Sequence, residues 1–390
     1  MEPVAIAMKK RILVAHPILG ASGGGNGVAA WALQALCRDY DVTLATLRPV
    51  DYQAVNRTFG TSLREGDFHL SVAPPGYQLL KKSLPTQGAL LEICLTMRLA
   101  RKLDAAEHFD ILLGMHNEAD FGRRGIHYVH YPWVFLPRPE HEMLWFHHIP
   151  GFLNGYRLLC QFIARSDNAG LRRNLSLANS RFVADRIREV HGVDSVVLHP
   201  PVAGGFPEVA WEQRVSGFVA VGRLHGCKRW DLAVAIIEAV RRRGHDVTLT
   251  LIGNRDDPGW FDTLSALAAE RPWFHLRCDL SRAELAAELA RHRYGIHTME
   301  KEHFGMAPAE IQRAGCLVFA HNSGGPVEIV QDPRLLFEDV ADAADKIVRV
   351  LNSPDDEADL RRLSALRREI FTEEHFCSSL RRIVKEFAAI

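Results

Sequence analysis

Two carboxylates with an eight-residue offset, Glu302 and Glu310, bracket the run Glu302-His303-Phe304-Gly305-Met306-Ala307-Pro308-Ala309-Glu310. The run lies between two strand-like stretches, Tyr294 to Thr298 and Cys316 to Ala320. Gly305 is a turn residue, and Pro308 is expected at the first position of a helix, where its missing N–H costs nothing. The first acid then falls on a loop and the second in the first helical turn. Backbone amides from Phe304 to Ala307 would point out of the helix N-terminus, a site suited to phosphate. Two acids flanking an anion-binding loop fit a ligand with a diphosphate in the middle and diols at both ends, as in a nucleotide-sugar. The same spacing also fits a plain strand-turn-helix with two exposed glutamates.

Cations occur in a second turn, Gly222-Arg223-Leu224-His225-Gly226-Cys227-Lys228-Arg229, after a strand from Gly217 to Val221. Arg223 and Lys228 would put positive charge where a diphosphate lies, although solvated surface charge is the other reading. The G-K-[ST] ending of a Walker A loop is missing.

A third candidate precedes both. The strand Arg11 to Ala15 leads into Gly20-Ala21-Ser22-Gly23-Gly24-Gly25-Asn26-Gly27, then a helix from Val28 to Cys37 and a strand from Asp41 to Leu47. Gly24, Gly25 and Asn26 sit where backbone must approach a ligand or another chain closely. Gly25 to Ala30 also satisfies G-x-G-x-x-A, with Asp51 placed for a ribose contact, and a nicotinamide oxidoreductase reading rests on that match alone. His116 follows the strand Ile111 to Leu113, and His130 lies in the strand end Tyr128-Val129-His130-Tyr131. Carboxyl ends of strands are where open α/β sheets bind ligands, so both histidines are candidates for chemistry. Hydrogen-bonded structural histidines are the alternative.

These sites need a scaffold. At 390 residues the chain is long for one core, and two domains of roughly 180 residues are expected. Both halves alternate β and α, which argues for an α/β architecture of two doubly wound domains facing one cleft. The expected division is 1–200 and 201–370, with a hinge at His199-Pro200-Pro201 and Gly204-Gly205. Lys plus Arg and Asp plus Glu number 47 each, so charge balance gives no case for a nucleic-acid partner. Seven dispersed cysteines disfavour disulfides and structural zinc and favour a reducing compartment. No apolar run reaches the roughly 18 residues of a spanning helix, and no signal-peptide pattern is present, so a cytoplasmic location is expected. Met8, ahead of Lys9-Lys10, is an alternative start to Met1.

H-E-x-x-H and C-x-x-C are both missing. Asp39-Tyr40-Asp41 lies across a helix-to-strand turn at the wrong end of its strand for a metal site, so metal-independent chemistry is expected. Aromatics are dense from Tyr131 to Phe162, among them Trp133, Phe135, Trp145, Phe146, Phe152 and Tyr156, with Arg138, His147, His148 and Arg157 interspersed. Such a surface suits an acceptor, a membrane face, or core packing.

Together these features resemble the retaining glycosyltransferases of the GT-B fold, family 4. The resemblance covers nearly the whole chain and is strongest from Gly217 to Val330. There Gly222-Arg223-Leu224, Lys228, the paired glutamates and Asn322-Ser323-Gly324-Gly325-Pro326 fall in the family's order. His303-Phe304-Gly305, His321 to Pro326 and Val129-His130-Tyr131-Pro132 look most like the α-1,2-mannosyltransferases that extend lipid-linked oligosaccharides from GDP-mannose. Two departures stand out: those enzymes carry an N-terminal membrane anchor, and Met306 to Ala309 is worded differently here.

The resemblance implies a hexose transfer from a nucleotide-sugar, GDP-mannose or a UDP-sugar, to a glycan or lipid-linked acceptor, with no cofactor or metal. It implies that Arg223 and Lys228 hold the diphosphate and Glu302 the donor sugar, with the Phe304, Gly305 and Met306 amides on sugar hydroxyls and phosphate. Glu310 would take the ribose diol, His116 the sugar with His130 as runner-up, and the glycine turn would close over the phosphates near the acceptor. A last helix, 371–390, is expected to pack back on the N-terminal domain. A nucleotide-sugar 2-epimerase, a UDP-sugar transferase of envelope polysaccharide synthesis and a non-catalytic sugar-nucleotide sensor share the fold or the ligand and stand as alternatives.

Overall fold

The computed structural model describes residues 9–74, 76–77, 89–132, 148–255 and 257–389. Trp133, Phe135, Arg138, Trp145, Phe146 and His147 of the aromatic stretch, and both candidate starts, lie outside the described residues. The chain divides into two compact units, Met1–Pro201 with Glu374–Ile390, and Val202–Glu373.

The first unit holds a parallel sheet of β1 (Arg11–Ala15), β2 (Asp41–Thr46), β3 (His69–Val72), β4 (Ile111–Gly114), β5 (Ile126–Val129), β6 (Leu175–Ala178) and β7 (Ser195–Val197). Its spatial order is β3-β2-β1-β4-β5-β6-β7. The central strands are apolar on both faces because helices cover both; Ile12, Leu13 and Val14 are wholly buried. In-register pairing of Ile12 to Ala15 with both Val42 to Ala45 and Ile111 to Gly114 makes β1 the axis of the sheet. Strand order reverses between β1 and β4, and the ends of those two strands are the topological switch point.

The second unit repeats the plan with β8 (Val215–Val221), β9 (Thr248–Gly253), β10 (Phe274–Cys278), β11 (His292–His297), β12 (Leu317–His321) and β13 (Leu336–Phe337). Its order is β10-β9-β8-β11-β12-β13, all parallel, with the switch between β8 and β11. Phe218, Tyr294 and Phe319 from three adjacent strands stack in its core, Phe218 lying 5.2 Å from Tyr294 between ring centroids.

The final helix, Glu373–Phe387, buries Phe376, Leu380, Ile383 and Val384, a helical stripe, in the core that contains Ile12 and Tyr128 of the first unit. Burying each such side chain stabilises the fold by about 2 kcal/mol.

Several boundaries differ from the sequence expectations. The first crossover helix is Gly24–Leu36, not Val28 to Cys37, so Gly24, Gly25, Asn26 and Gly27 form its first turn rather than a preceding loop. Gly23, at φ 81°, is the true turn residue. Asp51 is not free for a ribose: it caps the helix Tyr52–Phe59 by accepting from the Ala54 amide, and Gly60 closes that helix in the left-handed region. Edge strand β3 escapes the alternation pattern because it is half-exposed and pairs only with β2.

Candidate active site

The sites take shape at the two switch points. In the second unit, the turn after β8 carries Arg223 and Lys228, and β11 runs out into Thr298 to Glu302. Thr298 ties the two together, its hydroxyl donating to the carbonyls of Lys228 at 2.8 Å and Arg229 at 2.9 Å. Lys228 is thereby held over the end of β11, where its Nζ donates to Oε2 of Glu302 and lies 3.3 Å from the Met299 sulfur. His297, the last residue of β11, sits behind this pair with its Nε2 3.6 Å from the same Oε2. Burial alone would push the Glu302 carboxyl up, but the Lys228 ammonium, with His297 and His303, overrides it and holds the group at about 2. Burial, then the Lys228 charge and His321, push His297 down to about 4 against the pull of Glu302. At neutral pH the cluster is an ammonium, a carboxylate and a neutral imidazole. Arg223 is exposed at the lip of the same turn, its carbonyl accepting from the buried Trp230 indole at 3.1 Å.

The loop after β12 fixes the backbone of Glu302. Ser323 accepts from the Lys301 amide at 2.8 Å and lies 2.9 Å from His321 Nδ1, while the Gly325 amide donates to the Glu302 carbonyl at 2.8 Å. Gly324, at φ 73°, and Gly325 leave no room for side chains. A Cβ on the first would stand 2.3 Å from the Glu302 carbonyl oxygen, and on the second 2.4 Å from the Phe304 Cα. The Gly-Gly pair thus lets one strand-end loop lie flat on another.

Beyond Glu302 the chain turns at Gly305, φ 103°, into the helix Met306–Arg313. Pro308 is its third residue rather than its first, still within the turn whose N–H groups lack intrahelical partners. The Met306 and Ala307 amides precede the bond from Ala309 N to Gly305 O. The Phe304 ring is buried against Phe371, so its side chain anchors the loop and only its backbone faces the candidate site. Glu310 does not lie free: Arg282 donates from Nη1 to its Oε1 at 2.7 Å and from Nη2 to the Ala203 carbonyl at 2.7 Å.

In the first unit, His16 after β1, His116 after β4 and His130 after β5 form a row. His16 and His116 are 5.5 Å apart between ring centroids, and His116 and His130 are 6.0 Å apart. Asn26 in the first turn of Gly24–Leu36 lies 2.7 Å by Oδ1 from His16 Nε2 and donates to the Ser22 carbonyl at 2.6 Å. A Cβ on Gly25 would stand 3.2 Å from His130 Nε2, so that glycine gives the histidine its space. Asn117, in the left-handed region at φ 61°, accepts from the His130 amide at 2.9 Å and the Tyr131 amide at 3.1 Å. Burial first, then the neighbouring His16 and His130, hold His116 well below the usual histidine range. Burial likewise lowers His16, against its bond to Asn26. With His16 and His116 neutral, these imidazoles beside a helix N-terminus can accept or donate hydrogen bonds to hydroxyls without adding charge.

Sequence reasoning missed His16, Asn117, Arg282 and His297. His16 and His297 both stand at carboxyl ends of switch-point strands, the signal that singled out His116. Arg282, far from Glu310 in sequence, gave none. Among the described residues no group of three or more His, Cys, Asp or Glu is arranged to hold a metal.

The chain is similar to several known proteins. The chain is 30% identical over 165 residues to the GDP-Man:Man(3)GlcNAc(2)-PP-Dol alpha-1,2-mannosyltransferase of Mus musculus, covering 39% of this chain and 34% of that protein. It is 38% identical over 116 residues to the enzyme of the same name from Xenopus tropicalis, covering 28% and 24%. The matched part thus spans about a third or less of the length of these relatives. Among solved structures, sucrose-phosphate synthase from Thermosynechococcus elongatus superposes with a TM-score of 0.68 at 15% identity, covering 98% of this chain and all of that one, a likeness that shows the GT-B fold. The family model for glycosyl transferases group 1 matches residues 165–365, more than half of the chain and nearly all of the second unit. The chain belongs to the glycosyl transferases group 1 family.

Proposed function

We propose that this glycosyltransferase moves mannose from GDP-mannose to a lipid-linked glycan acceptor with retention of configuration and without a metal. The observation that carries the reading is the Lys228–Glu302–His297 cluster at the β8/β11 switch point, within a chain whose curated relatives are named for GDP-mannose and an alpha-1,2 product. Arg223 and Lys228 neutralise the departing diphosphate, the charge that grows as the glycosidic bond breaks. Glu302 hydrogen-bonds the donor sugar, the Phe304, Gly305 and Met306 amides meet sugar hydroxyl and phosphate, and Glu310, steadied by Arg282, takes the ribose diol. His116 serves the sugar, with His130 as runner-up, and Gly24, Gly25 and Asn26 close over the phosphates near the acceptor. GDP-mannose is an α-glycosyl donor, so an α-linked product is a retained one. The leaving phosphate can take the acceptor proton on the same face, and no dedicated base is required.

The protein works at the cytoplasmic side of a membrane as a peripheral enzyme in this reading. No described helix is long and apolar enough to cross a bilayer. The helix Phe152–Ala164 exposes Leu158, Leu159 and Phe162, the last at 81%, with Arg157 and Arg165 alongside and no acid from His148 to Ser166, a face suited to anionic lipid.

The test is transfer of labelled mannose from GDP-mannose to a short-chain polyprenyl-diphosphate oligosaccharide in EDTA, with the anomeric configuration read by proton NMR. An α-linked product supports the reading. Transfer only from UDP-sugars would keep the enzyme class and discard mannose, a β-linked product would discard retention, and free nucleotide released without any acceptor would favour an epimerase.

A further inference from the structure

His297 belongs to that cluster but is given no role of its own above, and its setting is unusual. It is 2% exposed, and its buried Nε2 has no hydrogen-bond partner among the described residues. The nearest carboxylate is Glu302, at 3.6 Å, just beyond bonding distance. That oxygen is already engaged by Lys228. Lys228 has two claims on it: Glu302 in the ligand-free protein, and the donor diphosphate in the functional reading. When the ammonium turns to the diphosphate, a largely buried carboxylate loses its strongest partner, and a buried charge without one is costly.

We propose that His297 is a positioning residue for sugar transfer: its neutral imidazole donates from Nε2–H to Glu302 as Lys228 is drawn to the diphosphate, keeping the carboxylate ionised and aimed at the sugar hydroxyls. The inference rests on the donor-site reading of Lys228 and Glu302. The groups facing His297 are Lys228, Glu302 and His321, and His303 acts on Glu302 from the loop. A neutral donor suits this place. It leaves the proton off Glu302, and it adds no second cation to compete with Lys228 for phosphate. Closing 3.6 Å to an ordinary hydrogen bond takes less than an ångström of movement, within reach of side-chain adjustment at a strand end.

Two measurements test it. The first needs no donor: in Lys228→Met, nitrogen and proton NMR of His297 should show a hydrogen-bonded, exchange-protected Nε2–H that is weaker in the wild type and lost in Lys228→Met/Glu302→Gln. An identical His297 signature in wild type and Lys228→Met would overturn the proposal. The second is kinetic. His297→Leu should lower kcat by about 10- to 100-fold, the range for one hydrogen bond to a charged group, with binding of free GDP within about threefold of wild type. His297→Gln, which keeps an N–H near the same place, should recover most of the loss. Unchanged kcat in His297→Leu, or loss of GDP binding in step with kcat, would overturn it. A wild type that transfers no sugar at all would defeat the donor-site reading instead, and the NMR comparison would still decide the His297–Glu302 contact.

Discussion

Lys228 and His297 converge on one atom, Oε2 of Glu302, the ammonium in a direct bond and the imidazole Nε2 at 3.6 Å. One comes from the turn after β8 and the other from the end of β11, so the contact joins the two strands at which sheet order reverses. The carboxylate is ionised because of this pairing, and each partner's removal has a distinct consequence.

Removing either partner of the ion pair strands the other. Lys228→Met and Glu302→Gln should each destabilise the second unit by about 1–3 kcal/mol, since both side chains are mostly buried. The double variant should recover much of that stability, because no lone charge remains. All three should lose transfer activity by about a hundredfold or more. Urea denaturation and steady-state rates on the four proteins check both halves of the statement.

Acid should weaken the fold through its buried histidines. His297 and His127 are both held at about 4 by burial, while an unfolded histidine titrates near 6.5. Between those values the unfolded chain binds protons that the native state refuses, so stability falls as pH drops from about 6.5 to about 4. The loss is roughly 3 kcal/mol for each histidine. Burial shifts His16, His116 and His292 in the same direction. Glu302, lowered from 4.5 to about 2, adds stability that is complete above about pH 4.5 and lost as pH falls toward 2. Urea midpoints at pH 7, 5.5 and 4.5 should decline in that order, and the decline should be shallower in His297→Leu.

Gly325→Ala should destabilise the second unit by about 1–3 kcal/mol and displace Glu302, because its Cβ would stand 2.4 Å from the Phe304 Cα and 2.5 and 2.6 Å from the Phe304 and His303 carbonyl oxygens. Melting temperature and donor KM should both change. Gly204→Ala, whose Cβ would meet the Arg313 guanidinium no closer than 3.1 Å, should change neither by much.

Arg282→Ala should raise donor KM about 10-fold and leave kcat within about threefold. Arg282 holds Glu310 at 2.7 Å, and the ribose contact proposed for Glu310 would be made equally in ground and transition states. A kcat loss as large as that of Glu302→Gln would move Glu310 out of the ribose role.

Much of this was legible in the sequence, and the limits have physical causes. Strands buried on both faces, such as Ile12 to Val14 and Val318 to Ala320, show as unbroken apolar runs, so the central strands of both sheets could be read directly. Gly24 to Gly27 read as a loop because glycine disfavours helix, yet here the turn residue is Gly23. Gly27 lies within 2.9 Å, from a virtual Cβ, of Phe59, so packing overrides propensity. Edge strand β3 lacked the pattern because it is half-exposed, with His69 and Leu70 open to solvent. Glu302 and Lys228 stood out by type and turn context. His297 and Arg282 did not, because their importance lies in contacts to Glu302 and Glu310 that only the folded sheet creates. Asp51 shows the reverse error: spacing suggested a ribose ligand, and the folded chain uses it as a helix cap.

The central claim is that the second unit is a nucleotide-sugar site built on Lys228 and Glu302. Isothermal titration of GDP-mannose, GDP and UDP-glucose against wild type, Lys228→Met and Glu302→Gln, in EDTA, tests it most directly. The account predicts that GDP and GDP-mannose bind the wild type, that Lys228→Met weakens both alike, and that Glu302→Gln weakens only the sugar-bearing ligand. Failure of every nucleotide to bind, or binding indifferent to Lys228, would contradict it.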